Sequence, residues 1–469
     1  MAESPSIPEQ KPEASPLREL LANAGPTVAA MTSYTVMQFV DKWMVSKIGP
    51  DPIYVGAQGN GGLASWVPMS IVMGLLTIVN TYVAQNLGAG KPERGAAYVW
   101  NGLWICFAAA VALVPYGLLL PEIFRALGHD ERRVALECAY AQPLIYFAFF
   151  SMATRAVSQY FYGLHKPSVV LVAGLTGNLT NFALNYCLIY GNFGFPKLGI
   201  AGAAYATVIG TLVELAIPTF MFLGPMHRAH GTRGQWRLSL AHVKDILRLG
   251  WPGGAMFGNE MICWSIFMVG LVGWFGPLHS TAGWIAHQYM SLSFMPAVGI
   301  SVAVTAMVGK CMGMGRPDLA AKRANLGVGL AVAYMTTCGI IFVVFRHQLV
   351  EVFIPDGVTA EDRAFLIAQG SMFLIAAAAF QFFDGVAMTL SGALRGAGDT
   401  AWLGVVTVAL AWTLIVGGGL AMVTFVPSLS SLGPWVAAAA YIICLGTVTG
   451  LRYHGGKWKS IKLVDRPGA

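Results

Sequence analysis

Six ionisable side chains stand inside long apolar runs of this chain: Asp41, Glu214, Glu260 and Asp384 are acidic, and Lys42 and Arg155 are basic. A charge in hydrocarbon is costly, so such residues face a bundle interior or a watery cavity and mark ion or substrate paths. Asn178, Asn181 and Asn185 share one helix face at i, i+3 and i+7. At ~1.5 Å rise per residue, Asp41 lies roughly 26 Å above the inner end of its span, Asn181 and Asn185 roughly 21–27 Å, and Thr207 about 18 Å. These four side chains are expected to meet. One carboxylate among amide and hydroxyl oxygens suits a hard monovalent cation, and the same carboxylate could instead carry a proton. An interhelical hydrogen-bond cluster is the plainer alternative.

Glu260 and Asp384 form a second pair, each about 15 Å from the inner face by the same arithmetic. Two carboxylates buried together would share one proton or one cation. Arg155 and Glu214 also lie at similar depth, which predicts a structural ion pair, since each would otherwise be an unpaired buried charge. His287 is either a hydrogen-bonded interior histidine or a proton relay.

The elements that position these groups follow from hydropathy. The chain has 469 residues, 56% hydrophobic and 11% charged, with mean hydropathy +0.62. A span needs about 20 apolar residues, and such runs recur at 24–46, 60–87, 96–120, 138–163, 168–190, 200–223, 247–275, 282–312, 323–345, 364–392, 401–426 and 433–453. The expectation is an all-α membrane protein of about twelve transmembrane helices. Residues 1–16 hold four prolines and three glutamates and read as a disordered cytoplasmic tail without signal-peptide features. Helices 1–6 (17–223) and 7–12 (247–453) form two lobes, joined by a basic, glycine-bearing linker at 224–246 that reads as solvated loop. Residues 454–469 form a basic tail. Of the 29 Lys and Arg residues, 20 fall on the side of the N-terminus and linker and 7 on the other, with Lys42 and Arg155 inside spans. The bias predicts both termini in the cytoplasm of a multi-pass protein, in a plasma or inner membrane. The seven cysteines are scattered with no metal or redox spacing.

The halves are related. Residues 83–97 read VAQNLGAGKPERGAA and residues 308–322 read VGKCMGMGRPDLAAK, a pattern V-x4-G-x-G-[KR]-P-[ED]-x2-A repeated at an offset of 225. Gly25-Pro26 opens helix 1 as Trp251-Pro252 opens helix 7. Gln58 matches Gln288 at offset 230, and Tyr162–Pro167 aligns loosely with Arg395–Thr400. Six helices per half make this a parallel repeat about an axis along the membrane normal.

With these motifs the sequence resembles the multidrug and toxic compound extrusion (MATE) transporters, over residues 17 to about 450. The carriers are Val40-Asp41 with Ile48-Gly49, the paired GxG[KR]P loops, the run from Pro196 to Thr207, Ala286-His287-Gln288, and Leu394–Thr400. The resemblance implies two pseudo-symmetric six-helix bundles around a central cleft, and export of small organic, often cationic, compounds in exchange for Na⁺ or H⁺ by alternating access. It makes Asp41, Asn181, Asn185 and Thr207 an N-lobe cation site and gives Glu260 and Asp384 the coupling ion in the C-lobe, with Phe380 one turn before the aspartate offering a cation–π face. Gln58, Asn178, His287, Gln288 and Phe380 are candidate cleft residues. One departure stands out: the residue after Asp41 is Lys42, where the family usually has a small or neutral one. Neighbouring helix residues point about 100° apart, so Lys42 can face elsewhere.

The rival functions are weaker. A flippase or exporter of lipid-linked or metabolite cargo wants a basic central cavity, whereas the in-span charges are mainly acidic. No metal motif, nucleophile elbow or P-loop is present, and GAGKP lacks the spacing and the Ser/Thr of a Walker loop. The expectation is therefore no enzyme, no cofactor beyond the coupling ion, no ATPase subunit, no nucleic acid, and a monomer solvated by lipid.

Overall fold

The computed structural model describes residues 15–49, 53–354 and 358–464. Its long helices are α1 (Pro16–Ser46), α2 (Ile53–Gly88), α3 (Pro92–Ala126), α4 (Glu131–Tyr146 and Ala148–Gly163), α5 (Pro167–Tyr190), α6 (Ile200–Leu223), α7 (Leu240–Phe275), α8 (Pro277–Gly313), α9 (Pro317–Val344), α10 (Ala360–Ala397), α11 (Thr400–Phe425) and α12 (Leu432–His454). Ten of these carry an apolar stretch long enough to cross a bilayer, and α4 is an eleventh if its arms, bent by 48°, are one span. The bend falls at Phe147, which leaves helical geometry (φ −103°, ψ 17°) between the two arms. The twelfth, α1, is more polar because it carries Asn23, Asp41 and Lys42. Here α1–α6 are called the N-lobe and α7–α12 the C-lobe.

Several boundaries differ from the hydropathy reading. The first helix starts at Pro16, not near residue 24, because Ser15 Oγ accepts from Arg18 N (3.3 Å) and Pro16 suits the first turn. Residues 1–14 of the expected tail lie outside the described residues. The linker is exposed along residues 233–238, as a solvated loop is, but it is tethered rather than free. Residues from Leu240 onward already belong to α7, and the rest is docked on the N-lobe. Trp100 Nε1 donates to Thr232 O (2.6 Å), Trp104 Nε1 to Trp236 O (3.0 Å), and Ser239 N to Asn101 Oδ1 (2.8 Å). His227 is fully buried, its ring edge-on to those of Tyr160 and Phe161. The C-terminal segment is also folded back: Trp458 is fully buried and stacks on Tyr453 at 5.2 Å.

The internal repeat governs how the lobes meet. A Cβ at Gly88 would stand 2.0 Å from the Lys310 carbonyl oxygen, and one at Gly313 would stand 2.0 Å from the Gln85 carbonyl oxygen. The two contacts are the same contact seen twice, since Gly88 and Gly313 are repeat equivalents. Gly90 and Gly315 adopt the same φ of 72°, which only glycine takes without strain. Gly74 and Gly253 likewise meet backbone to backbone, and Gly299 packs on Val28. Side chains follow the symmetry with different chemistry. Glu19 of α1 pairs with Arg323 of α9 (2.7 Å), whereas Asp245 of α7 accepts from the Tyr98 hydroxyl of α3 (3.2 Å). All these contacts lie on the linker side. Leu20 and Ala24 of α1 sit in a core made by α8, α9 and α10, while Met44 and Val45 at its other end pack with Ile189, Ile200 and Ala203 of the N-lobe. In α7, Ile246 joins the N-lobe core, and Cys263, Phe267 and Met268 join the C-lobe core. Each first helix thus crosses from one lobe to the other along its length.

Candidate functional site: two carboxylate clusters

Four side chains expected to meet do so in the N-lobe. Asn185 Nδ2 donates to Asp41 Oδ1 (2.6 Å) and to Asn181 Oδ1 (3.1 Å), and Asn181 Nδ2 donates to Thr207 Oγ1 (3.2 Å). The Thr207 hydroxyl in turn donates to the Ala203 carbonyl (2.9 Å). Asp41, Asn181 and Asn185 are buried. Small residues make this possible: a Cβ on Gly210 of α6 would stand 2.9 Å from Asn181 Cβ, so α5 and α6 approach closely enough for their side chains to touch. The Asn185 Oδ1 and Gln58 Oε1 atoms are buried without a hydrogen-bond donor. Buried acceptor oxygens beside a carboxylate, with no donor to satisfy them, form the donor set a small cation needs.

Tyr140 of α4 joins this cluster, within electrostatic reach of Asp41, Gln58 and Thr207. Its only mark in the sequence is a polar atom on an aromatic ring inside a span. Asn178, one turn nearer the linker side, donates to Ser33 Oγ of α1 (2.7 Å) and stands apart from the cluster. Lys42 is exposed and forms no ion pair with Asp41, as the 100° separation of adjacent helix residues allows.

The C-lobe arrangement is looser. Glu260 of α7 is exposed, Asp384 of α10 is half-buried, and the two act on each other electrostatically. Neither carboxylate takes a hydrogen bond from a described residue. Tyr441 of α12, another residue that sequence reasoning missed, lies within reach of both. His287 is half-buried between the rings of Trp264 (5.6 Å) and Trp284 (5.5 Å), with Ser291 Oγ 3.4 Å away. Gln288 is exposed whereas Gln58 is buried. The equivalence at offset 230 therefore does not hold: the lobes are related at 225, which sets Gly283 opposite Gln58.

Two expectations are corrected. Phe380 is 1% exposed and belongs to the C-lobe core with Phe373 and Trp435, so it is not a cleft residue. Arg155 and Glu214 form no ion pair. Similar depth does not make a pair: the Glu214 side chain lies along α5 against Gly174 and Gly177, and both Glu214 and Arg155 lie within reach of Tyr34 and Tyr162 without meeting. The Arg155 Nε atom is buried with no hydrogen-bond partner.

The MatE family model matches residues 26–187 and 259–424. The chain is 28% identical over 462 residues to a "Probable multidrug resistance protein NorM" of Pseudomonas syringae pv. tomato, covering 97% of this chain and 98% of that protein. It is 29% identical over 414 residues to "Multidrug resistance protein PmpM" of Pseudomonas aeruginosa, with 84% and 82% covered. Among solved structures it is similar to "Crystal structure of MATE in the straight conformation" (TM-score 0.84, 19% identity, 95% and 97% covered). It is equally similar in fold to a MOP superfamily transporter from Pyrococcus furiosus described as having "reverse polarity of binding pocket" (TM-score 0.83, 19% identity, 95% and 97% covered). By the family model that spans both halves of its sequence, this chain belongs to the MATE family of multi-pass membrane transporters, which are not enzymes.

Proposed function

We propose that this transporter exports small organic molecules, cationic ones among them, in exchange for H⁺ or Na⁺, and that Asp41 is the coupling residue. The observation that carries the reading is the buried Asp41 cluster: one carboxylate, held by Asn185, beside acceptor oxygens of Asn185 and Gln58 that no donor satisfies. A proton or a cation resolves both the charge and the unsatisfied oxygens. The names of the relatives support multidrug export. Glu260 and Asp384 serve as the second acidic station on the cleft wall, where an organic cation and the coupling ion compete for one negative site. That competition is negative linkage, the thermodynamic content of antiport. The linker side faces the cytoplasm, in keeping with the bias of 20 basic residues against 7, and the membrane is a plasma or inner membrane. The chain acts as a monomer in lipid, without an ATPase subunit. The lobes open in turn about the glycine-lined seam.

The test is efflux of a cationic dye from proteoliposomes with Na⁺ and pH gradients imposed separately. One gradient should drive efflux, and Asp41→Asn should remove that response. Dye movement indifferent to both gradients would overturn coupling.

A further inference from the structure

The linker covers only part of the surface it docks on. An open groove of about 650 Å³ remains, lined by Trp100 of α3, Phe220 and Leu223 of α6, and Gly224, Arg233 and Trp236 of the linker. Its walls are apolar and largely uncovered by protein: Phe220 is 78% exposed and Trp236 is 54% exposed. Most polar atoms around it are already used. Trp100 Nε1 donates to Thr232 O (2.6 Å), and Arg233 Nε donates to Leu223 O (2.7 Å). The second bond fixes the Arg233 guanidinium beside the groove and leaves its two terminal nitrogens without a partner among the described residues. Arg233 is exposed, so those donors are open to a ligand.

Depth and charge say what that ligand is. Phe220 and Leu223 lie in the last turn of α6, a helix apolar enough to cross a bilayer. The groove therefore opens where hydrocarbon gives way to headgroups, the depth that tryptophan favours. Charge there is one-sided. Residues 224–246 carry Arg228, Arg233, Arg237 and Lys244 against the single acid Asp245, which accepts from the Tyr98 hydroxyl. Glu93 of α3 packs on Gly231 but makes no ion pair with Arg233. An apolar wall that ends on a guanidinium with free donors complements a phosphate tied to an acyl chain.

The groove is not a product of the fold alone, because the other lobe lacks its aromatic wall. At the offset of 225, Trp100 and Trp104 correspond to Asn325 and Gly329, and Asn325 Oδ1 accepts from the Tyr453 hydroxyl (2.9 Å). The segment after α12, counterpart of the linker after α6, buries its Trp458 on Tyr453 instead of presenting it outward.

We propose that this groove binds an anionic phospholipid of the linker-side leaflet, with its phosphate on the terminal nitrogens of Arg233 and an acyl chain along Trp100, Phe220 and Trp236. The site shares no residue with the two carboxylate clusters and does not depend on what the protein exports. A lipid seated there bridges α3, α6 and the linker.

The experiment is native mass spectrometry of the delipidated full chain in detergent, titrated with phosphatidylglycerol or with phosphatidylcholine of the same acyl chains. Phosphatidylglycerol should bind the wild-type chain more tightly. Arg233→Gln should weaken it about fivefold, the worth of one basic side chain near an anionic headgroup. Lys322→Gln, which removes one exposed charge from the linker-side end of α9, should leave the affinity unchanged. Trp236→Ala should weaken both lipids, since it strips the wall and leaves the charge. Equal loss in Arg233→Gln and Lys322→Gln would mean that net charge holds the lipid, and it overturns the proposal. Equal binding of the two lipids by the wild-type chain also overturns it, and needs no variant. Glycerophosphoglycerol, the same headgroup without chains, should not compete at matched concentration. Displacement of the lipid by it would assign Arg233 to a free phosphate ester and overturn the lipid site.

Discussion

The two acidic stations differ in how their carboxylates are held. Asp41 is buried and takes a 2.6 Å hydrogen bond from Asn185, itself tied to Asn181 and through it to Thr207. Glu260 is exposed, Asp384 half-buried, and neither has a hydrogen-bond partner among the described residues. A network in which each side chain orients the next is built before any ion arrives, so binding there demands little reorganisation. Two carboxylates on an open wall can turn, hydrate and accept bulky cations of varied shape. On the proposed function, the N-lobe station would serve as the ion site and the C-lobe station as a substrate or exchange site. The outer support differs too: the linker docks on α3 of the N-lobe through Trp100, Trp104 and Asn101 and on α4 through Tyr160.

The largest effect that would break this contrast concerns transport. Asp41→Asn should reduce gradient-driven efflux to the level of protein-free vesicles, because an amide neither titrates nor balances a cation, while Glu260→Gln should leave measurable efflux. Equal loss in both variants would erase the distinction between the stations.

Stability separates them next. Asn185→Ala removes the donor to a buried carboxylate and should cost about 1.5–3 kcal/mol, seen as a lower melting temperature in detergent. Glu260→Gln touches no hydrogen bond and should stay within about 0.5 kcal/mol. The opposite order would mean that the N-lobe network is not preformed.

A smaller, local effect is expected at the linker. Burial pushes the His227 imidazole down to about 4, helped by the nearby Lys166 and His230. An undocked histidine takes its proton near 6.5, whereas the docked one resists until about 4. Docking is therefore undiminished above pH 6.5 and weakens as pH falls from 6.5 toward 4. Hydrogen exchange over residues 225–232 should quicken across that window, and His227→Phe should abolish the dependence. A pH-independent linker would show that His227 does not govern its docking.

The smallest effect is the most direct check on the departure after Asp41. Lys42 is exposed and makes no ion pair with Asp41, so Lys42→Ala should leave transport within about twofold of the wild-type rate. A larger loss would show that Lys42 reaches the site during the cycle.

Much of the N-lobe station was legible because its members are polar residues in apolar spans, where each needs a reason to be there. Helix rise then placed Asp41, Asn181, Asn185 and Thr207 at compatible heights. The same arithmetic misled for Arg155 and Glu214, since height along a helix carries no information about which neighbour its face meets. For Phe380 it is the resemblance that misleads, since the residue one turn before Asp384 packs into the C-lobe core. Tyr140 and Tyr441 were missed because a phenol in a hydrophobic run looks like packing, and only the arrangement of neighbouring helices reveals what its oxygen lies beside.

Sequence alone determined the number of long helices, the relation of the halves at an offset of 225, and the identity of the buried acids. These depend on hydropathy, on helix rise and on repetition, all local or periodic properties of the chain. Tertiary structure decided which charges find partners. Close packing at Gly88, Gly313, Gly74 and Gly253 brings backbones within reach across the lobes, and that packing fixes the rotation of each helix about its own axis. Rotation sets Asp41 against Asn185 and leaves Arg155 and Glu214 beside the same tyrosines without an ion pair. It is a property of how side chains on several helices interlock, and no single helix carries it.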